Sequence, residues 1–235
     1  MPGMGTEGGV TNSPRLIAVA EPRHAEAVVL VLHGGANRKD DPRVSPTQLS
    51  VLRMIPIAQR IAKADRRRLA VYRLLNSTRG WDTRHTPVDD VHWAIDQLRE
   101  GFGSQLPVGL VGHSLGGRAA ILAAERREVR SVVALNPWVY PTDGQIDLSG
   151  RRVLVAHGTD DRIASPQSSA AAARALSRTA DVTYVRVDGA KHAMLRRGRD
   201  FERLAADFAA ATLLDDRTPR GAVAQALAGE SLIEI

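Results

Sequence analysis

The sequence predicts an α/β fold, built as one mostly parallel sheet with helices on both faces. Three observations predict it. Short apolar runs rich in β-branched residues alternate with longer segments of helical period. The runs are nearly continuous Val, Leu and Ile, as expected of strands buried on both faces. At 235 residues, 43% hydrophobic and 25% charged, the chain is long and apolar enough for one full core.

Strands are expected at Leu16–Ala20, Ala27–Leu32, Leu69–Leu75, Pro107–Val111, Val129–Leu135, Arg152–Ala156 and Val182–Val187. Helices are expected at Thr47–Ala64, Pro87–Glu100, Leu115–Arg127, Pro166–Arg178 and Arg199–Leu213. Thr86-Pro87 and Ser165-Pro166 each set a capping hydroxyl before a proline at the first helical position, where a missing N–H costs nothing. The reading divides the chain into a flexible segment 1–14, a domain 15–214, and an extension 215–235 with one short helix, an apolar tail and no assigned role.

Composition excludes several classes. There is no cysteine, which removes disulfides, thiolate metal sites and a cysteine nucleophile together. The net charge of +6 raises the question of nucleic acid. The charge is scattered, however, and its densest clusters, Arg66-Arg67-Arg68 and Arg196-Arg197-Gly198-Arg199, have no interleaved aromatics and no binding motif, so no nucleic-acid partner is expected. No apolar run approaches the ~20 residues that span a bilayer, and the polar start lacks a signal-peptide pattern, so the expected location is cytoplasmic.

The chemistry concentrates after the strands. Pro107–Val111 runs into Gly112-His113-Ser114-Leu115-Gly116-Gly117 and then an Ala-rich helix, which is Gly-x-Ser-x-Gly in a strand–turn–helix setting. A sharp turn would hold Ser114 exposed at the carboxyl edge, and the flanking glycines would admit close neighbours. A serine hydroxyl needs a base, and the base an orienting acid. His192 follows the Val182–Val187 strand and is the expected base. His113 lies within the elbow, with its side chain expected to turn from the site. Asp160 and Asp161 compete as the acid after the Arg152–Ala156 strand. Two backbone N–H donors are needed for a developing oxyanion. Leu115 is one candidate, and Gly35 of His33-Gly34-Gly35-Ala36 the other, with Ala36 second.

From about Leu16 to Leu214 the chain resembles the α/β-hydrolase superfamily. The resemblance rests on His33-Gly34-Gly35, the Gly112-to-Gly116 elbow, His157-Gly158-Thr159-Asp160-Asp161 and Lys191-His192, in the family's order. It implies a Ser114–Asp161–His192 triad, with Asp161 in the acid's place in the strand–His-Gly-x-x-Asp pattern, and hydrolysis of an acyl compound without metal or other cofactor. The segment between about Pro137 and Arg151 is too short for a helical cap domain. The chain thus looks like a small lidless serine esterase of dienelactone-hydrolase size, although true dienelactone hydrolases use a cysteine. Dehalogenases and epoxide hydrolases of the superfamily place an aspartate at the elbow, where this chain has Ser114.

The expected function is cleavage of small or medium carboxylic esters through an acyl-enzyme, with a small-molecule acyl substrate as partner. The same residues would also suit a thioesterase, amidase or perhydrolase, and a non-catalytic binding protein on the same fold is the alternative from another class. Trp81, Trp138, Tyr140 and Met194, with Asn76 and Arg79, fall on loops at the sheet's carboxyl edge and are the expected substrate-facing residues. An open site argues against lipase behaviour at interfaces.

Overall fold

The computed structural model describes residues 13–35, 44–103, 105–214 and 217–235. Residue 36, the second candidate oxyanion donor, most of the 1–14 segment and most of the loop 38–46 lie outside the described residues. Eight strands form one sheet: β1 (Arg15–Ala20), β2 (Ala27–Leu32), β3 (Leu69–Leu75), β4 (Val108–His113), β5 (Val129–Leu135), β6 (Arg152–Gly158), β7 (Asp181–Val187) and β8 (Leu232–Glu234). Their order is β1-β3-β2-β4-β5-β6-β7-β8, and every pairing is parallel except β1 with β3.

The helices are α1 (Leu49–Leu52), α2 (Met54–Ala64), α3 (Thr86–Phe102), α4 (Leu115–Leu122), α5 (Pro166–Leu176), α6 (Gly198–Leu213) and α7 (Gly221–Leu227). They divide between the faces. Met54, Ile57 and Ile61 of α2 pack with Phe201 and Phe208 of α6 against Val29 and Val31, while α3, α4 and α5 cover Val28, Leu30 and Leu32 on the other side. Alternate residues of β2 thus serve opposite cores, and for that reason the strand reads as an unbroken apolar run.

Differences from the expected elements have local causes. The helix expected over Thr47–Ala64 splits at Arg53, because Pro56 has no N–H to donate to Leu52 four residues back. At Ser165 the expected cap is present, its hydroxyl accepting from Ser168 N–H at 3.1 Å. At Thr86 it is not: Thr86 is already helical, and its N–H and hydroxyl both donate to the Asp82 carboxylate. Beyond residue 216 the chain forms one short helix, α7, and then β8, a strand that is not among the expected elements. Ile233 pairs with Val185 and enters the core. Between β5 and β6 the only regular element is a 3-10 turn, Pro141–Gln145, and there is no cap domain.

Candidate active site

Ser114 lies between β4 and α4 with φ 58° and ψ −121°, a backbone conformation that an L side chain adopts only under constraint. The constraint is the close approach of three elements. A Cβ on Gly112 would stand 2.1 Å from Gly116 O, and one on Gly116 would stand 2.6 Å from the carbonyl oxygens of Leu32 and His33. The glycines two residues either side of Ser114 therefore let strand, helix and the β2 loop meet at backbone distance. Ser114 N–H donates to Leu135 O and Trp138 N–H to Ser114 O, which pins the turn to the end of β5.

Two loops converge on this turn. The loop after β7 brings His192 Nε2 to 3.0 Å from Ser114 Oγ, and His192 Nδ1 lies 2.8 Å from Asp161 Oδ2. With Nδ1 donating to a carboxylate, Nε2 of the neutral ring carries the lone pair that accepts the hydrogen bond of the Ser114 hydroxyl. Asp161 is supplied by the loop after β6, and its side chain is completely buried. Burial alone would raise its pKa. Hydrogen bonds from His157 Nε2 (3.1 Å), His192 Nδ1 and the backbone N–H groups of Ile163 (2.8 Å) and Ala164 (3.0 Å) outweigh that and hold the carboxyl well below the usual carboxylate range. Asp160, the competing candidate, is exposed.

The β2 loop is oriented by His33. Its Nδ1 donates to Gly34 O at 2.7 Å, so the other nitrogen of the neutral ring accepts, and Asn76 N–H lies 3.2 Å from Nε2. Burial lowers the pKa of His33, more than the bond to Gly34 raises it, and so favours this neutral form. Because the peptide is planar and trans, turning Gly34 C=O toward the His33 ring turns Gly35 N–H away from it. Gly34 itself lies against Ser114, its missing Cβ falling 2.9 Å from Ser114 Cβ. Leu115, first residue of α4, has an N–H without an intrahelical acceptor.

Four residues absent from the expected site hold this arrangement together. Asn136, fully buried and at φ 42°, donates from Nδ2 to the carbonyl oxygens of Lys191 and His192, both at 3.2 Å, and accepts Gly158 N–H at 2.8 Å. His113 was expected to point away. Instead β4 runs two residues further than expected, and His113 Nε2 donates to His192 O at 2.8 Å with the two rings 4.9 Å apart. Burial, with the neighbouring His192 charge second, pushes the His113 pKa down to about 3, so the ring is neutral. His157 is the second imidazole on Asp161. Arg118 is the fourth, and its signal in the sequence is a lone charge in a run of Gly and Ala.

Arg118 also explains where the expected substrate-facing aromatics go. Its guanidinium is buried in a two-pronged pair with Asp143 (2.8 and 3.0 Å), and its carbon centre stands 4.3 Å from the Trp81 ring, 4.9 Å from Tyr140 and 6.0 Å from Trp138. These three aromatics form one cluster beside the elbow, with Trp138 edge-on to Tyr140. Met194 does not join them. It is buried in the core on the α2/α6 face. Among the described residues no group of three or more His, Asp or Glu is arranged to hold a metal ion, and no helix is long and apolar enough to cross a membrane.

Comparison with known proteins agrees with this architecture. Est1E from Butyrivibrio proteoclasticus, in a structure holding ferulic acid, superposes with TM-score 0.65 at 13% identity, covering 85% of this chain and 95% of that one. XC6422 from Xanthomonas campestris, described as an α/β serine hydrolase without lid, gives 0.61 at 18% identity, covering 88% and 90%. The monoacylglycerol lipase of Paleococcus ferrophilus gives 0.62 at 18% identity, covering 85% and 99%. At such identities the likeness is one of fold. No curated protein matches the chain by sequence. Two family models do match, the alpha/beta hydrolase fold over residues 27–147 and the alpha/beta hydrolase family over residues 99–199. With the first of them spanning more than half of its length, the chain belongs to the alpha/beta hydrolase family.

Proposed function

We propose that this protein is a serine hydrolase that cleaves small or medium carboxylic esters through an acyl-enzyme. One observation carries the reading: Ser114 Oγ, His192 and Asp161 stand in series at 3.0 and 2.8 Å, on a backbone turn strained at the serine. Ser114 Oγ attacks the ester carbonyl as its proton passes to His192 Nε2. Asp161 keeps Nδ1 protonated and stabilises the imidazolium that forms. The oxyanion is met by the N–H groups of Leu115 and Gly35, the former at the positive end of α4. His192 returns the proton to the departing alkoxide, and water, deprotonated by the same nitrogen, then releases the acid. Trp81, Trp138 and Tyr140, clustered around Arg118 beside the elbow, offer aromatic surface to the acyl or alcohol group.

The test is intact-mass labelling with a fluorophosphonate, which reports an activated serine without knowledge of the substrate. The expected result is a single adduct on the wild type and none on Ser114→Ala, followed by turnover of short-chain p-nitrophenyl esters by the wild type alone. A folded wild type that takes no adduct and turns over no ester overturns the reading and favours a binding role.

A further inference from the structure

Among the described residues six large hydrophobic side chains are conspicuously exposed: Leu195 (83%), Leu49 (75%), Ile163 (70%), Leu232 (54%), Tyr140 (50%) and Leu52 (40%). All but Leu232 lie on segments that leave the carboxyl edge of the sheet, the edge that carries Ser114. The contacts at the site show how they are distributed. Leu195 is three residues beyond His192, and Ile163 is two beyond Asp161. Leu49 and Leu52 follow Gln48, whose amide lies beside Gly35 of the β2 loop. Tyr140 is two beyond Trp138, which is bonded to Ser114 O.

The segments that carry these apolar side chains thus follow strands on both sides of the one that ends at the nucleophile. Burying one acyl chain needs neighbouring side chains that close over it, whereas Leu49 follows β2 and Leu195 follows β7, strands that lie on either side of β4 in the sheet. Large apolar groups left in water around a site mark a surface that meets something apolar and extended. Cations accompany them. Arg162 precedes Ile163, Lys191 precedes His192 and Arg196 follows Leu195; all three are exposed, and none pairs with a carboxylate among the described residues. The same loops expose Asp160 and Asp188, and the chain as a whole carries +6.

We propose that this rim seats the protein on an anionic lipid–water interface, with the mouth of the Ser114 site facing the lipid. Leu49, Ile163 and Leu195 enter the headgroup layer while Arg162, Lys191 and Arg196 meet lipid phosphates. Like charge on two copies disfavours a second molecule of this chain as the occupant. That the esters cleaved are those of amphiphiles held in the interface rests on the esterase reading; the docking itself does not. The surface bears against the sequence-based expectation that an open site would not act at interfaces.

The experiment is co-sedimentation of the full chain, carried as Ser114→Ala so that no lipid is consumed, with vesicles of phosphatidylcholine alone or mixed with phosphatidylglycerol. Partitioning is expected to be about tenfold or more stronger onto the anionic vesicles and to weaken as salt is raised. Adding Leu49→Ser and Leu195→Ser is expected to lower it by about tenfold. Absence of anionic-vesicle binding, binding indifferent to lipid charge, or unchanged binding by the doubly substituted rim overturns the proposal. So does a concentration-dependent dimer on size-exclusion chromatography that these substitutions abolish. In the Ser114 background, the rate of fluorophosphonate labelling is expected to be unaffected by Leu49→Ser and Leu195→Ser, so failure of docking and failure of the esterase reading are separately visible.

Discussion

The Asn136 amide bonds the carbonyl oxygen of His192 at 3.2 Å while its own oxygen accepts Gly158 N–H at 2.8 Å. One buried side chain thereby ties the loop bearing His192 to the loop bearing Asp161. Asn136→Asp keeps the size but removes both donors and sets a carboxylate against two carbonyl oxygens. The expected outcome is a loss of about 2 kcal/mol of stability and a fall in labelling rate of at least about tenfold, since small displacements of a base are costly. Urea unfolding and stopped-flow labelling read the two effects separately.

Ser114 holds a strained backbone conformation (φ 58°, ψ −121°) that glycine tolerates. Ser114→Gly should therefore abolish labelling and raise stability by about 1 kcal/mol, strain relief being partly offset by the freer unfolded chain. A lower urea midpoint than that of wild type counts against strain at the elbow.

The two aspartates of the β6 loop separate cleanly by environment. Asp161→Asn should cost on the order of 10³–10⁴-fold in ester turnover, because an amide that accepts from His157 and His192 through its one oxygen turns its NH2 against the Ile163 and Ala164 N–H groups and has no charge to stabilise an imidazolium. Asp160→Asn changes an exposed group and should alter turnover little. Measuring kcat/KM for both variants on one ester decides the assignment, and the reverse ranking sinks it.

The Arg118–Asp143 pair is buried on both sides, with Tyr140 N–H also donating to Asp143 at 2.9 Å. Asp143→Ala leaves a buried guanidinium without its partner and should cost about 3–5 kcal/mol. The double variant Arg118→Ala/Asp143→Ala should cost less than the sum of the singles. Additive losses in a double-mutant cycle would show the pair to be uncoupled.

Acid should destabilise the fold before carboxylates titrate. His113 is neutral in the native state with its pKa near 3, whereas in the unfolded chain it protonates around 6.5. The unfolded state thus binds the extra proton, so stability present above pH 6.5 declines as pH falls toward 3, by up to about 1.4 kcal/mol per pH unit for one such histidine. His33, also lowered by burial, acts in the same direction. Urea unfolding of wild type and His113→Gln between pH 7.5 and 4.5 should show a shallower slope for the variant.

The alternation of unbroken apolar runs with helical periods determines the layered α/β fold, because strands buried on both faces can carry almost nothing but aliphatic side chains. The positions of Ser114, Asp161 and His192 are legible for a related reason: each follows such a strand on a short loop, where glycine marks a backbone forced into close quarters. What the tertiary structure alone decided are the contacts among residues far apart in the chain. Asn136, His113 and His157 look like ordinary strand-end residues until parallel pairing stacks the ends of β4 to β7 side by side and brings their side chains onto the same two loops. The C-terminal strand escaped notice because three residues carry too little periodicity, and only the open edge of β7 makes them a strand. The aromatics were legible as residues of the carboxyl edge, but their gathering around Arg118 was not, since a buried ion pair is specified by packing in three dimensions and leaves no period in the sequence.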